Sequence, residues 1–205
     1  MAFDINDFVR SLPYGGARAN LFQVHISTPS AVNIQGHSNI DSSFSVVAKA
    51  TTIPASTIEP VDVPFLGRTY RLPGGRTFDD WTTTITNDED FKVRDFFEQW
   101  SDGMNGHSTG KAQSNLNSSA QAGAQTGGIG TYTTDARVVQ YGKSGQKVRE
   151  YVMVDAWPHT IGEISLDWAE NGTIEEFEVS WAFSWWESVA MNDRATSLEL
   201  TGNFR

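Results

Sequence analysis

Along several stretches of this chain, apolar and polar residues alternate with a period of two, the pattern of strands with one buried face. Phe22, Val24 and Ile26 alternate with Gln23, His25 and Ser27, and Trp81, Thr83 and Ile85 alternate with Thr82, Thr84 and Thr86. Phe44, Val46 and Ala48 alternate in the same way with Ser45, Val47 and Lys49 and read as a further strand. Pro54, Pro60, Pro64 and Pro73 punctuate the segment between these runs, so short edge strands or extended loops are expected there, where a missing amide donor is tolerated. Strands resume with Val148, Val152 and Val154.

Two segments carry the helical period instead. Ile5, Phe8, Val9 and Leu12 form a short amphipathic stripe behind Asp4 and ahead of Pro13. Docking on the body of the same chain is the expectation for it, with a neighbouring subunit as the other possibility. Val93, Phe96, Phe97 and Trp100 predict a longer helix over about 88–100, flanking a sheet. Thr86 and Glu89 offer a capping box, and Asp88, Glu89 and Asp90 place negative charge in the first turn. Residues 101–130 are built of small and polar residues without an aromatic and read as a low-complexity insertion.

Asn171-Gly172 predicts a type I′ hairpin. Counting outward from it pairs Leu166 with Phe177 and Ile164 with Val179 on one face. On the other face Asp167 meets Glu176 and Ser165 meets Glu178. Alternation continues through Val179, Trp181, Phe183 and Trp185, and an unbroken strand from Ile174 to Trp185 would run roughly 40 Å at about 3.3 Å per residue. One face of this hairpin is core and the other is wet and acidic.

Composition sharpens that asymmetry. The chain has 205 residues with 25 Asp and Glu against 15 Lys and Arg, a net charge of −10. Ten of the carboxylates lie between Glu150 and Asp193, a segment with no Lys or Arg, so the whole net charge resides there. Such a surface suits neither a nucleic-acid reader nor a binder of anionic membranes. A solvated, aggregation-resistant sheet face explains the acids equally well on pattern alone. The absence of cysteine excludes disulfides, thiolate metal sites and cysteine nucleophiles. No stretch predicts a membrane span or a Sec-type leader.

No constellation predicts chemistry, and the chain is expected not to be an enzyme. His25, His37, His107 and His159 are scattered without metal-ligand or nucleophile spacing, and the glycine pairs lack the lysine of a phosphate-cradling loop. Neither cofactor nor metal is predicted. Asp79 and Asp80, as neighbours on a strand, would point to opposite faces and read as capping or pairing with Arg76. Arg68, Arg71 and Arg76 form a basic cluster. On a hairpin tip they would complement the acidic strands of another copy.

The run Arg76-Thr-Phe-Asp-Asp-Trp-Thr, preceded by Leu21-Phe-Gln-Val and Ala50-Thr-Thr-Ile-Pro-Ala, resembles the tail tube family of contractile-tailed, T4-like bacteriophages. Trp157-Pro, Ile161-Gly-Glu-Ile-Ser-Leu-Asp-Trp and Thr173-Ile-Glu-Glu-Phe-Glu-Val-Ser-Trp resemble that family's last hairpin in order and spacing. The likeness covers roughly residues 1–187 and departs at 27–41, at 101–130 and in a C-terminal extension over 188–205. It implies one mainly β domain over 1–205, a β-sandwich or barrel-like tail tube fold with one flanking helix, long loops and a short N-terminal helix. It further implies a virion protein assembled in the host cytoplasm into six-membered rings stacked as the inner tail tube. A sheath would lie outside, a tape-measure protein and transiting DNA inside, and a baseplate hub at one end, with no membrane involved. Glu163, Asp167, Glu176 and Glu178 are then the lumen candidates. Arg68, Arg71, Arg76, Asp79, Asp80 and Trp81 are candidates for the subunit contact or for holding the motif loop. The rival readings are a tube-initiating or terminating ring protein, a secretion-system tube subunit of the same fold and, in another class, a carbohydrate-binding β-sandwich, which would need a patch of exposed aromatic residues.

Overall fold

A computed structural model describes residues 4–12, 15–29, 34, 40–107 and 132–190. In chain order its elements are α1 (Ile5–Ser11), β1 (Phe22–Ile26), α2 (Ile40–Val47), β2 (Ala48–Thr51), β3 (Ser56–Phe65), β4 (Arg68–Phe78), β5 (Trp81–Thr86), α3 (Lys92–Met104), β6 (Thr134–Tyr141), β7 (Lys147–Ile161), β8 (Glu176–Ala182) and β9 (Trp185–Ala190). The order β1-β6-β7-β8-β5-β2, with β9 also on β7, makes one antiparallel sheet, while β3 and β4 pair only with each other. Mainly β with few helices, this is the architecture that the alternating pattern predicts.

Inward parity on β5 and β8 and the stripe on α3 bring large aromatic rings into one layer. Trp181 lies 5.2 Å from Trp81, 5.5 Å from Phe97, 5.8 Å from Trp100 and 6.4 Å from Phe44, centroid to centroid. Each such ring pair contributes about 0.5–1.5 kcal/mol beyond the area it buries. A buried indole needs an acceptor, and all three find one. Trp81 Nε1 donates to Thr51 Oγ1 at 2.8 Å and Trp100 Nε1 to the Tyr132 carbonyl at 2.9 Å. Trp181 Nε1 donates to Thr83 Oγ1 at 3.0 Å, which in turn donates to the Val179 carbonyl at 3.4 Å. Thr83 therefore occupies a core position between Trp81 and Ile85 because its hydroxyl serves the neighbouring strand.

Several local expectations give way to longer-range packing. Phe44 is buried on a helix, not a strand: Ile40, Phe44 and Val47 repeat at helical spacing, while Val46, which the strand reading placed with Phe44, is 80% exposed. Asp41, at the start of this helix, accepts the Ile26 amide at 3.0 Å and ties α2 to β1. The proline-punctuated segment forms one long hairpin, β3–β4. A two-stranded sheet is all edge, so prolines fit on its unpaired sides. Helix α3 starts at Lys92, later than predicted, and the capping box does not form, since Thr86 remains in β5. Phe91 turns the chain with a φ of 54°, and Asp88 Oδ1 accepts the Lys92 amide at 3.1 Å in place of the expected cap. Residues 101–104, assigned to the insertion, continue the helix, and residues 108–131 lie outside the described residues.

The predicted hairpin register is overturned as well. Val179 pairs with Ile161, not Ile164, and residues 162–175 form a connection outside the strands. Gly172 has a φ of 90°, but Asn171 is not left-handed, and a type I′ turn needs both. The single long strand is broken too. Strand β7 turns at Asp155, whose φ is 57°, and its partner divides: β8 pairs with Trp157–Ile161, and β9 pairs with Arg149–Val154. Across that corner the Ser184 amide donates to the Val154 carbonyl at 3.0 Å and the Ser184 hydroxyl to Asp155 Oδ2 at 3.3 Å. Residues 188–190, read as the start of an extension, belong to β9, and the tail from 191 lies outside the described residues.

Thr83→Val should lower the stability of the unassembled chain by about 1–3 kcal/mol, because it leaves the Trp181 N–H buried without an acceptor. Thr83→Ser should recover most of the loss. Thermal denaturation of both variants checks this, and a valine variant melting with the parent would refute the role given to the hydroxyl.

Candidate functional surfaces

Opposite the aromatic core, the other parity of β5 and β8 faces outward. Thr82, Thr84 and Thr86 stand beside Ser180, Glu178 and Glu176 respectively, and Thr160 of β7 flanks Ser180. The face is a carpet of hydroxyls carrying two carboxylates. Glu178 is exposed, while Glu176 Oε1 accepts from Lys49 Nζ at 2.6 Å. Of the four acids singled out by the sequence, only Glu176 and Glu178 share this face. Glu163 and Asp167 are exposed in the 162–175 connection, where Asp167 Oδ1 accepts the Ala169 amide at 2.9 Å. Asp167 and Glu176 are therefore not the cross-strand pair that the predicted register made them.

The same connection is fixed at its start. The Gly162 amide donates to the Glu178 carbonyl at 2.7 Å, and a Cβ on Gly162 would stand 2.7 Å from that oxygen, so only glycine fits without a shift. Arg94 on α3 donates to the Gly162 carbonyl at 2.6 Å while its guanidinium lies 5.1 Å from the Phe177 ring centre. At the other end Asn87 Nδ2 donates to Glu175 Oε2 at 3.0 Å. Between these anchors Leu166, Trp168 and Ile174 project into solvent beside Glu163, Asp167 and Glu170.

The β3–β4 hairpin is the second exposed apolar surface. Ile58, Val61, Val63, Phe65, Tyr70 and Leu72 are all exposed along it. Its two-residue turn is Leu66-Gly67, with φ of 47° and 78°. A leucine in the left-handed region costs roughly 1–2 kcal/mol where asparagine or glycine would be at ease, and this one is 89% exposed. Arg68 follows the turn, Arg71 lies 3.3 Å from Asp62 across the hairpin, and Arg76 sits near its base opposite Ile58. The three arginines thus spread along the hairpin instead of gathering at its tip. Asp79 and Asp80 connect it to β5. The Asp80 carboxylate meets His159 at 3.2 Å, not Arg76, and Trp81 is an anchor in the core.

Helix α1 adds a third surface. Ile5, Phe8, Val9 and Leu12 are all exposed, so the stripe is not covered by its own body, contrary to the favoured expectation. None of these surfaces is built for catalysis. Among the described residues no group of three His, Cys, Asp or Glu could hold a metal ion, and no helix is long and apolar enough to cross a membrane. Beside the 162–175 connection, at the start of α3, the Lys92 hydrogen bond holds the Asp90 carboxyl below its ordinary value, and the same contact raises Lys92.

A family model described as phage tail tube protein matches residues 17–189. The chain is 34% identical over 186 residues to tail tube protein gp19 of Enterobacteria phage T4, covering 89% of this chain and 99% of that protein. It is 22% identical over 175 residues to the tail tube protein of Serratia phage KSP90, with 84% and 90% covered. In fold it is similar to a chain of the sheath-tube complex of an extracellular contractile injection system, PVC, in the extended state. There the TM-score is 0.56 at 10% identity, over 93% of this chain and all of that one. With the family match spanning most of the sequence and the T4 relative aligned nearly end to end, the chain belongs to the phage tail tube protein family, whose members are structural proteins of the tail and not enzymes.

Proposed function

We propose that copies of this chain close into six-membered rings and stack into the hollow inner tube of a contractile tail. The tube is surrounded by sheath, occupied by a tape-measure protein during assembly, seated on a baseplate hub, and traversed by DNA at ejection. The observation that carries the reading is Leu66. A protruding hairpin that keeps a strained leucine exposed at its turn, with apolar residues uncovered along both strands, gains nothing from them as a monomer. Burial against another copy recovers the cost. Arg68, Arg71 and Arg76 along the hairpin supply charge complementary to the acidic 162–175 connection of that copy, with α1 as a further contact. Asp79, Asp80 and Trp81 hold the hairpin to the sheet.

The hydroxyl-covered face of β2, β5 and β8 lines the bore in this reading. Glu178 and Glu176 lie on the wall, and Glu163 and Asp167 stand at its rim. Burying the strand edges between copies closes the individual sheets into one continuous barrel, which removes edges that would otherwise recruit other chains.

Leu66→Asn should leave the melting temperature of the unassembled chain unchanged or raise it, since Asn-Gly suits the turn, and yet reduce tube formation sharply. Negative-stain microscopy reads the second effect as single rings or monomers in place of tubes. Normal tubes from this variant would remove the hairpin tip from the contact. Glu178→Lys should assemble normally but slow DNA ejection, most at low ionic strength, where a new cation on the wall meets phosphate with little screening. Ejection followed by release of a DNA-binding dye from virions checks this, and a salt-independent, parental rate would count against the lumen assignment.

A further inference from the structure

Strands β2, β5 and β8 and residues 157–161 contain a single Lys or Arg between them, Lys49. It sits at a break in the β2–β5 register, between the pairs Ala48↔Ile85 and Ala50↔Thr84. From there its side chain, although more than half exposed, runs along the sheet instead of standing away from it. It lies across β5 to reach Glu176 on β8, 2.6 Å away, a span of two interstrand spacings or about 9.6 Å. Only the short side chains of threonines intervene on β5, so the lysine can lie flat. The pair is half open to water, with side-chain exposures of 57% for Lys49 and 35% for Glu176.

We infer that Glu176 is a tether: it holds down against the wall the only Lys or Arg that the described strands of this face carry, so that a polyanion sliding past them finds no free ammonium to catch its phosphates. The inference rests on the reading that this face lines the bore, and it divides the labour of the two acids. Glu178 contributes free negative charge. Glu176 contributes none of its own to the face, because its charge is spent on Lys49, and its role is to position that side chain. Affinity for a nucleic-acid backbone follows the number of cations free to displace counterions, so a single released lysine per subunit, repeated around and along a tube, would turn a non-adhesive wall into an adhesive one.

The test compares three variants by retention of a short single-stranded DNA oligonucleotide, on assembled tubes and on the unassembled chain, across a salt titration. Glu176→Gln should increase retention at low salt and steepen the slope of log K against log salt by about 0.7 for each Lys49 that meets a phosphate. Glu178→Gln removes the same charge but frees no lysine, so it should raise retention less and leave the slope unchanged. The double variant K49Q/E176Q keeps the parental net charge and should return to the parental level. Equal effects from Glu176→Gln and Glu178→Gln, or a gain that persists in the double variant, would overturn the tether. The lumen reading is checked separately, because the chain has no cysteine. The thiol introduced by Thr84→Cys in assembled tubes should react with a small maleimide and resist one carried on a polymer too wide for the bore. Reaction with both would refute the lumen assignment, while the measurement on the unassembled chain would still decide whether Glu176 restrains Lys49.

Discussion

The bond chain from the Trp181 indole through the Thr83 hydroxyl to the Val179 carbonyl is the constraint on which the rest of the sheet depends. It places a polar atom inside the aromatic layer and satisfies it twice, once from the partner strand's side chain and once from its backbone. Slipping β8 by one residue against β5 would turn Trp181 out of the layer and leave the hydroxyl without its donor. Register between these strands is thereby specified by hydrogen bonding as well as by ring packing against Phe97, Trp100 and Phe44. Once register is set, the opposite parity is set with it. The hydroxyls of Thr82, Thr84 and Thr86 and the carboxylates of Glu176 and Glu178 all face outward because Trp81, Thr83, Ile85, Phe177, Val179 and Trp181 face in.

The corner at Asp155 follows from a second requirement. A flat continuation of β7 and β8 would carry Phe183 and Trp186 away from the body. By turning at Asp155, the chain returns β9 along the first half of β7 and packs Trp186 against Tyr151 and Phe78, 5.8 and 6.3 Å away. Aspartate tolerates the left-handed conformation, and its carboxylate accepts from Ser184 on one side and Thr133 on the other. The bend therefore joins the hydroxyl-faced part of the sheet to the part that supports the hairpin base through Phe78.

Much of this was legible in the sequence wherever one period dominated. The strands at Phe22–Ile26 and Trp81–Thr86 and the four-residue stripe of α3 were readable because their burial comes from parity alone. Phe44 misleads because it belongs to both periods, to the alternation with Val46 and Ala48 and to the helical spacing with Ile40 and Val47, and only the second buries it. The Asn-Gly signal misled because it is a local preference, and Gly162, which must approach the Glu178 carbonyl, ends the β7 ladder long before Asn171. The real primed turn, Leu66-Gly67, was hidden by a residue that turn chemistry disfavours. Among the surface residues, Glu176 and Glu178 were found by alternation, but Lys49 was not, since its partner lies 127 residues away and no local pattern links them.

In the proposed tube the wall's charge matters less than its lack of free cations. At physiological salt a surface charge is felt over about 8 Å, so carboxylates on the wall repel DNA only when it comes close, and on this face one of the two is already neutralised by Lys49. Weak, short-ranged repulsion alone would not prevent adhesion if even one lysine per subunit stood free, because each phosphate contact adds its own counterion release and the contacts multiply along the tube. A surface of threonine and serine hydroxyls, by contrast, exchanges hydrogen bonds with water as readily as with a passing backbone, so leaving any one contact costs little. Smooth passage then requires two things of the sequence, short neutral side chains at the outward positions of β5 and β8 and an acceptor for the one lysine that the edge strand carries.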